Sequence, residues 1–185
     1  MIEIKNLTVA FQENIIFNQF NATIPKGITV ISGASGCGKT TLLRTIAGLQ
    51  TYTGEINGTQ DCSLSFSFQD FRLFNNLTVK KNIKIVANPK INIDSLLSQM
   101  FIEDFKNKYP QELSGGMKQR VSIARALAKD ADIIFFDEPF NALDDYLRTH
   151  IIQNMKPYIQ DKATIIVTHN PIDIQQIRPN HFIKL

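Results

Sequence analysis

The octapeptide Gly33-Ala34-Ser35-Gly36-Cys37-Gly38-Lys39-Thr40 restricts the folds open to this chain more than any other segment. It fits the pattern G-x-x-x-x-G-K-[ST] and follows Ile28-Thr29-Val30-Ile31, a short β-rich apolar run. Behind it, Leu42, Leu43, Ile46 and Ala47 recur at helical spacing from Lys39 to Ala47, and Gly48 marks a stop. A buried strand, a glycine loop and a helix in that order make a phosphate cradle. Glycine lets the backbone wrap an anion, and the N–H groups at a helix N-terminus meet it with positive potential. The pattern gives Gly33, Ala34, Ser35, Gly36, Cys37 and Gly38 to the cradle and Lys39 to the β and γ phosphates. Thr40 would ligate Mg²⁺ through its hydroxyl, and Thr41 adds a phosphate contact. Cys37 reads as a small packing residue.

The rest of the chain has the periodicities of an α/β protein. Ile2–Phe11 and Asn21–Ile24 alternate as paired strands; Gly54–Gly58 and Ser63–Phe68 read as two more, the second ending near Gln69. Between Phe71 and Leu113 short helix-like patches replace them, at 78–86, 94–100 and 102–108, with Thr78 and Asp94 as caps and Pro89 and Pro110 as breaks. Ser114 then caps a helix whose Val121, Ala124, Leu127 and Ala128 share a face. Ile133–Phe136 and Thr164–Val167 are buried strands, Leu147–Ile159 is helical, and Pro171 opens a last helix. The expectation is one domain with a largely parallel sheet, antiparallel strands at its N-terminal end and a small inserted helical subdomain. Residues 1–70 and 115–185 form the α/β core, and residues 71–114 the insert.

Ile133-Ile134-Phe135-Phe136-Asp137-Glu138 delivers two carboxylates to the C-terminal end of a buried strand, where open α/β sheets bind ligands. Asp137 is placed to hold Mg²⁺ through water. Glu138, one residue on, is placed to orient or deprotonate a water attacking the γ-phosphate.

Those two motifs fit many phosphate-handling enzymes; Leu113-Ser114-Gly115-Gly116-Met117-Lys118-Gln119-Arg120 narrows them. Ser114 and two glycines at a helix N-terminus make a second anion site. This segment, with Arg120-Val121-Ser122-Ile123-Ala124-Arg125-Ala126-Leu127, resembles the ABC ATPase family, whose signature L-S-G-G-Q it departs from only at Met117. The resemblance implies a P-loop NTPase core that binds ATP with Mg²⁺ and hydrolyses it. In that family Ser114, Gly115 and Gly116 would face the γ-phosphate held by the opposite subunit. A second ATPase subunit is therefore an implied partner, beside integral membrane permease subunits.

Further matches follow in family order. Gln69 resembles the Q-loop residue that senses Mg²⁺ and γ-phosphate. Asn141-Ala142-Leu143-Asp144 resembles the D-loop that crosses the dimer interface, with Asn141 where serine is common and Asp144 as the residue carried over. His169 resembles the switch histidine on the γ-phosphate, which joins Glu138 and Lys39 as catalytic residues. Phe11 lies where the family stacks an aromatic on adenine, and burial in the core is the other reading of that residue. The region Phe71–Lys84, with Phe71, Leu73, Phe74 and Leu77, either receives a permease helix or forms the insert's own core. Met117-Lys118-Gln119-Arg120 resembles uptake ATPases of the nitrate, sulfonate and taurine type.

Composition removes other classes. The formal charge of +3 without a dense Lys/Arg block gives no footprint for nucleic acid. No apolar run approaches the about 20 residues of a membrane helix, and the start of the chain alternates where a signal peptide would be continuously apolar. The expected location is cytoplasmic, peripheral on the inner face of the cell membrane. Cys37 and Cys62 are too few for a disulfide framework. A soluble ABC-type ATPase uncoupled from transport, such as one in cluster assembly, stays open as the alternative.

Overall fold

In the computed structural model, which describes residues 1–12 and 14–185, continuous apolar runs become strands buried on both faces. Strand β3 (Gly27–Ser32) pairs in parallel with β7 (Ala163–Val167) on one side and β8 (His181–Lys184) on the other. Beyond β7 lie β6 (Ile133–Asp137) and β5 (Leu64–Ser67), also parallel, in the order β5-β6-β7-β3-β8. Successive residues of β6 point to opposite faces: Ile134 and Phe136 into one apolar cluster, Ile133 and Phe135 into the other.

The second cluster fills the space between this sheet, helix α1 (Lys39–Ile46) and a three-stranded antiparallel sheet. That sheet has the order β2-β1-β4, from β1 (Ile2–Phe11), β2 (Asn14–Ile24) and β4 (Thr53–Asn57). Its inner row includes Ile2, Ile4, Leu7, Val9 and Phe17. On the other face, Ile28, Val30 and Ile166 meet α4 (Gly115–Ala128), α5 (Asp145–Ile159) and α6 (Pro171–Ile177). The short helices α2 (Val79–Lys84) and α3 (Ile93–Gln99) pack there too, so Val79, Ile83, Leu96 and Leu97 share one continuous core with the sheet.

Several local expectations need correction. Strand β2 begins at Asn14, well before Asn21, because bulges carry its register past polar residues; Gln19 takes φ 50° and gives its N–H to Thr8 Oγ1. Asn92, not Asp94, caps α3, accepting from Ser95 N at 3.0 Å, while Asp94 pairs with Lys80. The patch at 102–108 forms only one 3₁₀ turn at Glu103–Phe105. Helix α5 starts two residues before Leu147, at Asp145. Strand β8, too short and polar to read from periodicity, closes the sheet edge next to β3.

Candidate functional site

All the parallel strands end on one rim. Register pairs Ile31 with Val167, Asp137 with Val167, and Ser67 with Phe136. The glycine loop, Asp137-Glu138, Thr168-His169 and Gln69 therefore leave the sheet at the same edge, as expected for the ligand crevice of an open α/β sheet.

The loop is shaped by its glycines. Gly38 caps α1 in the left-handed region at φ 98°, and a Cβ there would lie 2.6 Å from Ile16 Cγ2 and 2.9 Å from Phe17 Cζ. The β1–β2 hairpin thus seats directly on the cradle. Lys39 is almost wholly buried, its ammonium donating to Gly33 O at 3.0 Å and Ala34 O at 2.7 Å. It lies beneath the loop, with Ala34, Ser35 and Gly36 exposed above it. Thr41 packs partly buried behind it, its carbonyl accepting from Thr45 Oγ1.

Thr40 Oγ1 donates to Asp137 Oδ1 at 3.0 Å, joining α1 to β6. Asp137 is fully buried, and its Oδ2 has no hydrogen-bond partner. Burial pushes its carboxyl above the ordinary aspartate range, and Glu138 adds to this; the Thr40 bond and the charges of Arg44 and Lys39 act the other way. A buried, unpaired carboxylate oxygen beside a hydroxyl is a hard-oxygen donor set that fits Mg²⁺, which takes few protein ligands and completes its shell with phosphate oxygens and water. Among the described residues no group of three or more His, Cys, Asp or Glu side chains is spaced to hold a metal by itself.

Glu138 turns the chain sharply, at φ 48°, before Pro139. A side chain held in that region costs on the order of 1 kcal/mol. Its N–H donates to Val167 O at 3.0 Å, its Oε1 lies 3.4 Å from His169 Nδ1, and its Oε2 accepts from Asn141 Nδ2. His169 is otherwise exposed. Lys39, Thr40, Asp137, Glu138 and His169 therefore share one rim.

Within one chain Ser114, Gly116 and Asp144 serve helix ends and the loop between them. Ser114 caps α4, accepting from Met117 N at 3.3 Å, and Gly116 packs so close to the 141–144 loop that a Cβ there would lie 2.7 Å from Ala142 O. Asp144 caps α5 through Leu147 N at 2.8 Å, and Gln69 is exposed. Phe11 is 46% exposed at the hairpin tip, which removes the core reading of that residue. Leu73 packs on the helical side of the core whereas Phe74 is 48% exposed, so the 71–84 segment is half core and half surface.

The roles of three side chains, Arg125, Arg148 and Asp173, are not legible in the sequence. Arg125 forks its guanidinium onto Arg72 O at 2.7 Å and Phe71 O at 2.8 Å, fixing two successive left-handed residues after Gln69. Arg148 and Asp173 sit behind the rim. Each stands four residues past a motif residue, Asp144 and His169, which was the available signal.

Comparisons with known proteins agree on one family. A family model described as ABC transporter matches residues 17–141. The aliphatic sulfonates import ATP-binding protein of Bacillus subtilis is 41% identical over 175 residues, covering 86% of this chain and 68% of that protein. The Fe(3+) ions import ATP-binding protein of Haemophilus influenzae is 35% identical over 195 residues, covering 92% of this chain and 56% of that protein. The sulfate/thiosulfate import ATP-binding protein of Mycobacterium tuberculosis is 36% identical, covering 91% and 54%. The chain thus spans little more than half the length of the last two. A dimeric bacterial ABC transporter cassette superposes with a TM-score of 0.86 at 28% identity, covering 100% of this chain and 94% of that one. The same cassette in a post-hydrolysis state bound to ADP and Pi gives 0.82 at 30% identity, with the same coverage. Among the described residues, no helix is long and apolar enough to cross a membrane.

Proposed function

The chain is an ATP-binding subunit of the ABC transporter family, and on that premise we propose that it hydrolyses ATP as half of a dimer and drives an import permease from the cytoplasmic face of a membrane. The observation that carries this reading is the Glu138 carboxylate, one residue past the buried Asp137 and 3.4 Å from His169 Nδ1. The sulfonate, iron and sulfate import proteins above support uptake as the direction.

In this mechanism the glycine loop and Lys39 take the β and γ phosphates, and Lys39 exchanges its two loop carbonyls for phosphate oxygens. Phe11 stacks on the adenine. Thr40 and Asp137, with Gln69, would hold Mg²⁺, which neutralises charge on the phosphates when bound. Glu138 orients the attacking water and accepts its proton, and His169 holds the carboxylate and meets the γ-phosphate. Ser114, Gly115 and Gly116 of a second copy close the site as an anion-binding helix terminus, with Asp144 at the seam. The exposed half of 71–84, next to Gln69 and within the helical segment 71–114, receives the permease.

Glu138→Gln tests this reading. The variant keeps the hydrogen bonds but loses the base, so turnover falls by about 10²–10⁴-fold while an ATP-bound dimer accumulates. Light scattering that finds only monomer at saturating ATP overturns the two-copy mechanism.

A further inference from the structure

Behind the rim lies a buried ion pair that touches neither the glycine loop nor the carboxylates in front of it. Arg148, in the first turn of α5, is 13% exposed in its side chain, and Asp173, in the first turn of α6, is 2% exposed. Arg148 Nε lies 3.3 Å from Asp173 Oδ1. The guanidinium also donates through Nη2 to Leu143 O at 3.1 Å and through Nη1 to Asp145 Oδ1 at 2.8 Å. On the other side, Asp173 Oδ2 accepts from Thr168 Oγ1 at 2.7 Å, and Thr168 Oγ1 accepts from Asn170 N at 3.2 Å. One guanidinium and one carboxylate therefore join the chain on both sides of Asp144 to the chain on both sides of His169.

The same two loops also meet in front. Asn141 donates to one oxygen of Glu138, and His169 approaches the other at 3.4 Å. The contacts close a ring that runs from Glu138 to Asn141, Leu143, Arg148, Asp173, Thr168, His169 and back. Stability is a poor reason for the rear half. Two charges lose their water there, Nε and Oδ1 meet without hydrogen-bond alignment, and an apolar pair of similar volume would hold the helices as well. Position is the better reason, because a planar fork fixes direction as well as distance.

We infer that Arg148 and Asp173 are positioning residues that make the 140–144 and 168–170 loops one body, so that a shift imposed on Asp144 by a second copy reaches His169 and Glu138 together. The inference rests on the role given above to Glu138.

Two variants of the full chain, assayed with MgATP, test it. Arg148→Lys keeps a charge but cannot span Leu143 O, Asp145 and Asp173 at once. Arg148→Met with Asp173→Leu removes both charges together. Each should melt within a few degrees of the parent and bind a fluorescent ATP analogue within about twofold of it. Each should lose at least about tenfold in kcat with KM changed less than about twofold, the pattern of an interaction made only in the transition state. A double variant with the parent's stability and the parent's kcat overturns the inference, since the pair would then be packing alone. If the double variant does not fold, Arg148→Lys decides by the same criterion. Glu138→Gln run alongside separates the two readings. A dead Glu138→Gln chain beside fully active Arg148 variants overturns the brace alone, whereas a Glu138→Gln chain as active as the parent overturns the role of Glu138 and the brace with it.

Discussion

Thr40 holds one oxygen of Asp137 at 3.0 Å and leaves the other buried without a partner. The pair joins the first helix after the glycine loop to the central strand of the site, so the half-satisfied carboxylate stands where cradle and sheet meet. A buried charge of this kind is expensive to keep ionised.

Asp137→Asn should therefore stabilise the nucleotide-free chain at neutral pH, by about 1–2 kcal/mol, or about 2–8 °C in Tm for a domain of this size. The sign follows from the raised carboxyl. The folded chain binds this proton more tightly than the unfolded one, so stability is lost as pH rises from the ordinary value of 3.8 through the raised folded value. The variant's advantage should be absent below that window and complete above it. Adding MgATP should raise the Tm of the parent and leave the variant nearly unmoved. Thermal melts across pH, with and without MgATP, check both statements; a variant less stable than the parent at pH 7 contradicts them.

Gly115 and Gly116 should separate folding from association. An added Cβ at Gly116 would press to 2.7 Å of the Ala142 carbonyl, a backbone atom that cannot step aside cheaply, whereas at Gly115 nothing lies within 4 Å. Gly116→Ala should lower Tm despite the gain of about 1 kcal/mol in helix propensity. Gly115→Ala should leave Tm unchanged or slightly higher, yet weaken ATP-driven dimerisation, because in the proposed dimer its Cβ would meet the nucleotide of the opposite copy. Melting curves beside sedimentation in ATP distinguish the two. Equal dimerisation by Gly115→Ala and the parent would mean that this helix tip closes on nothing.

The parallel core was legible because strands buried on both faces have no polar residue to spare: Ile133–Phe136 and Thr164–Val167 could be little else. The cradle was legible because a strand, a loop pattern and a helix had to coincide. What escaped is held by tertiary contacts with no local period. Strand β8 exists because β3 offers it an edge, and β2 runs to Asn14 because bulges and Thr8 absorb its polar residues. The grip of Arg125 on the turn after Gln69, and of Arg148 on two loops, joins residues far apart in sequence. Resemblance makes Ser114, Gly115, Gly116 and Asp144 nucleotide ligands, and within one chain they serve as helix termini. Both descriptions hold if a second copy supplies the phosphate.

Phe11 offers the cleanest test of where the nucleotide's base lies. It stands 46% exposed at the hairpin tip, in register with Asn14, whereas Phe17 on the adjoining strand is 6% exposed and reaches under Gly38. The two rings thus divide the work: one supports the cradle and the other is free to stack. Truncating Phe17 to alanine should cost about 3–5 kcal/mol of stability, as for a buried aromatic. Truncating Phe11 should leave Tm within about 1–2 °C of the parent, since its ring buries little on folding. Stacking of a base on an aromatic contributes about 1–3 kcal/mol, so Phe11→Ala should weaken ATP binding by about 5–150-fold. Phe11→Tyr should restore it, because a phenol presents the same face. Inorganic triphosphate, which has no base, should bind parent and Phe11→Ala alike. Titration of both ligands by calorimetry reads the comparison directly; an equal loss for ATP and triphosphate would place the base away from Phe11, with the hairpin acting on the phosphate loop alone.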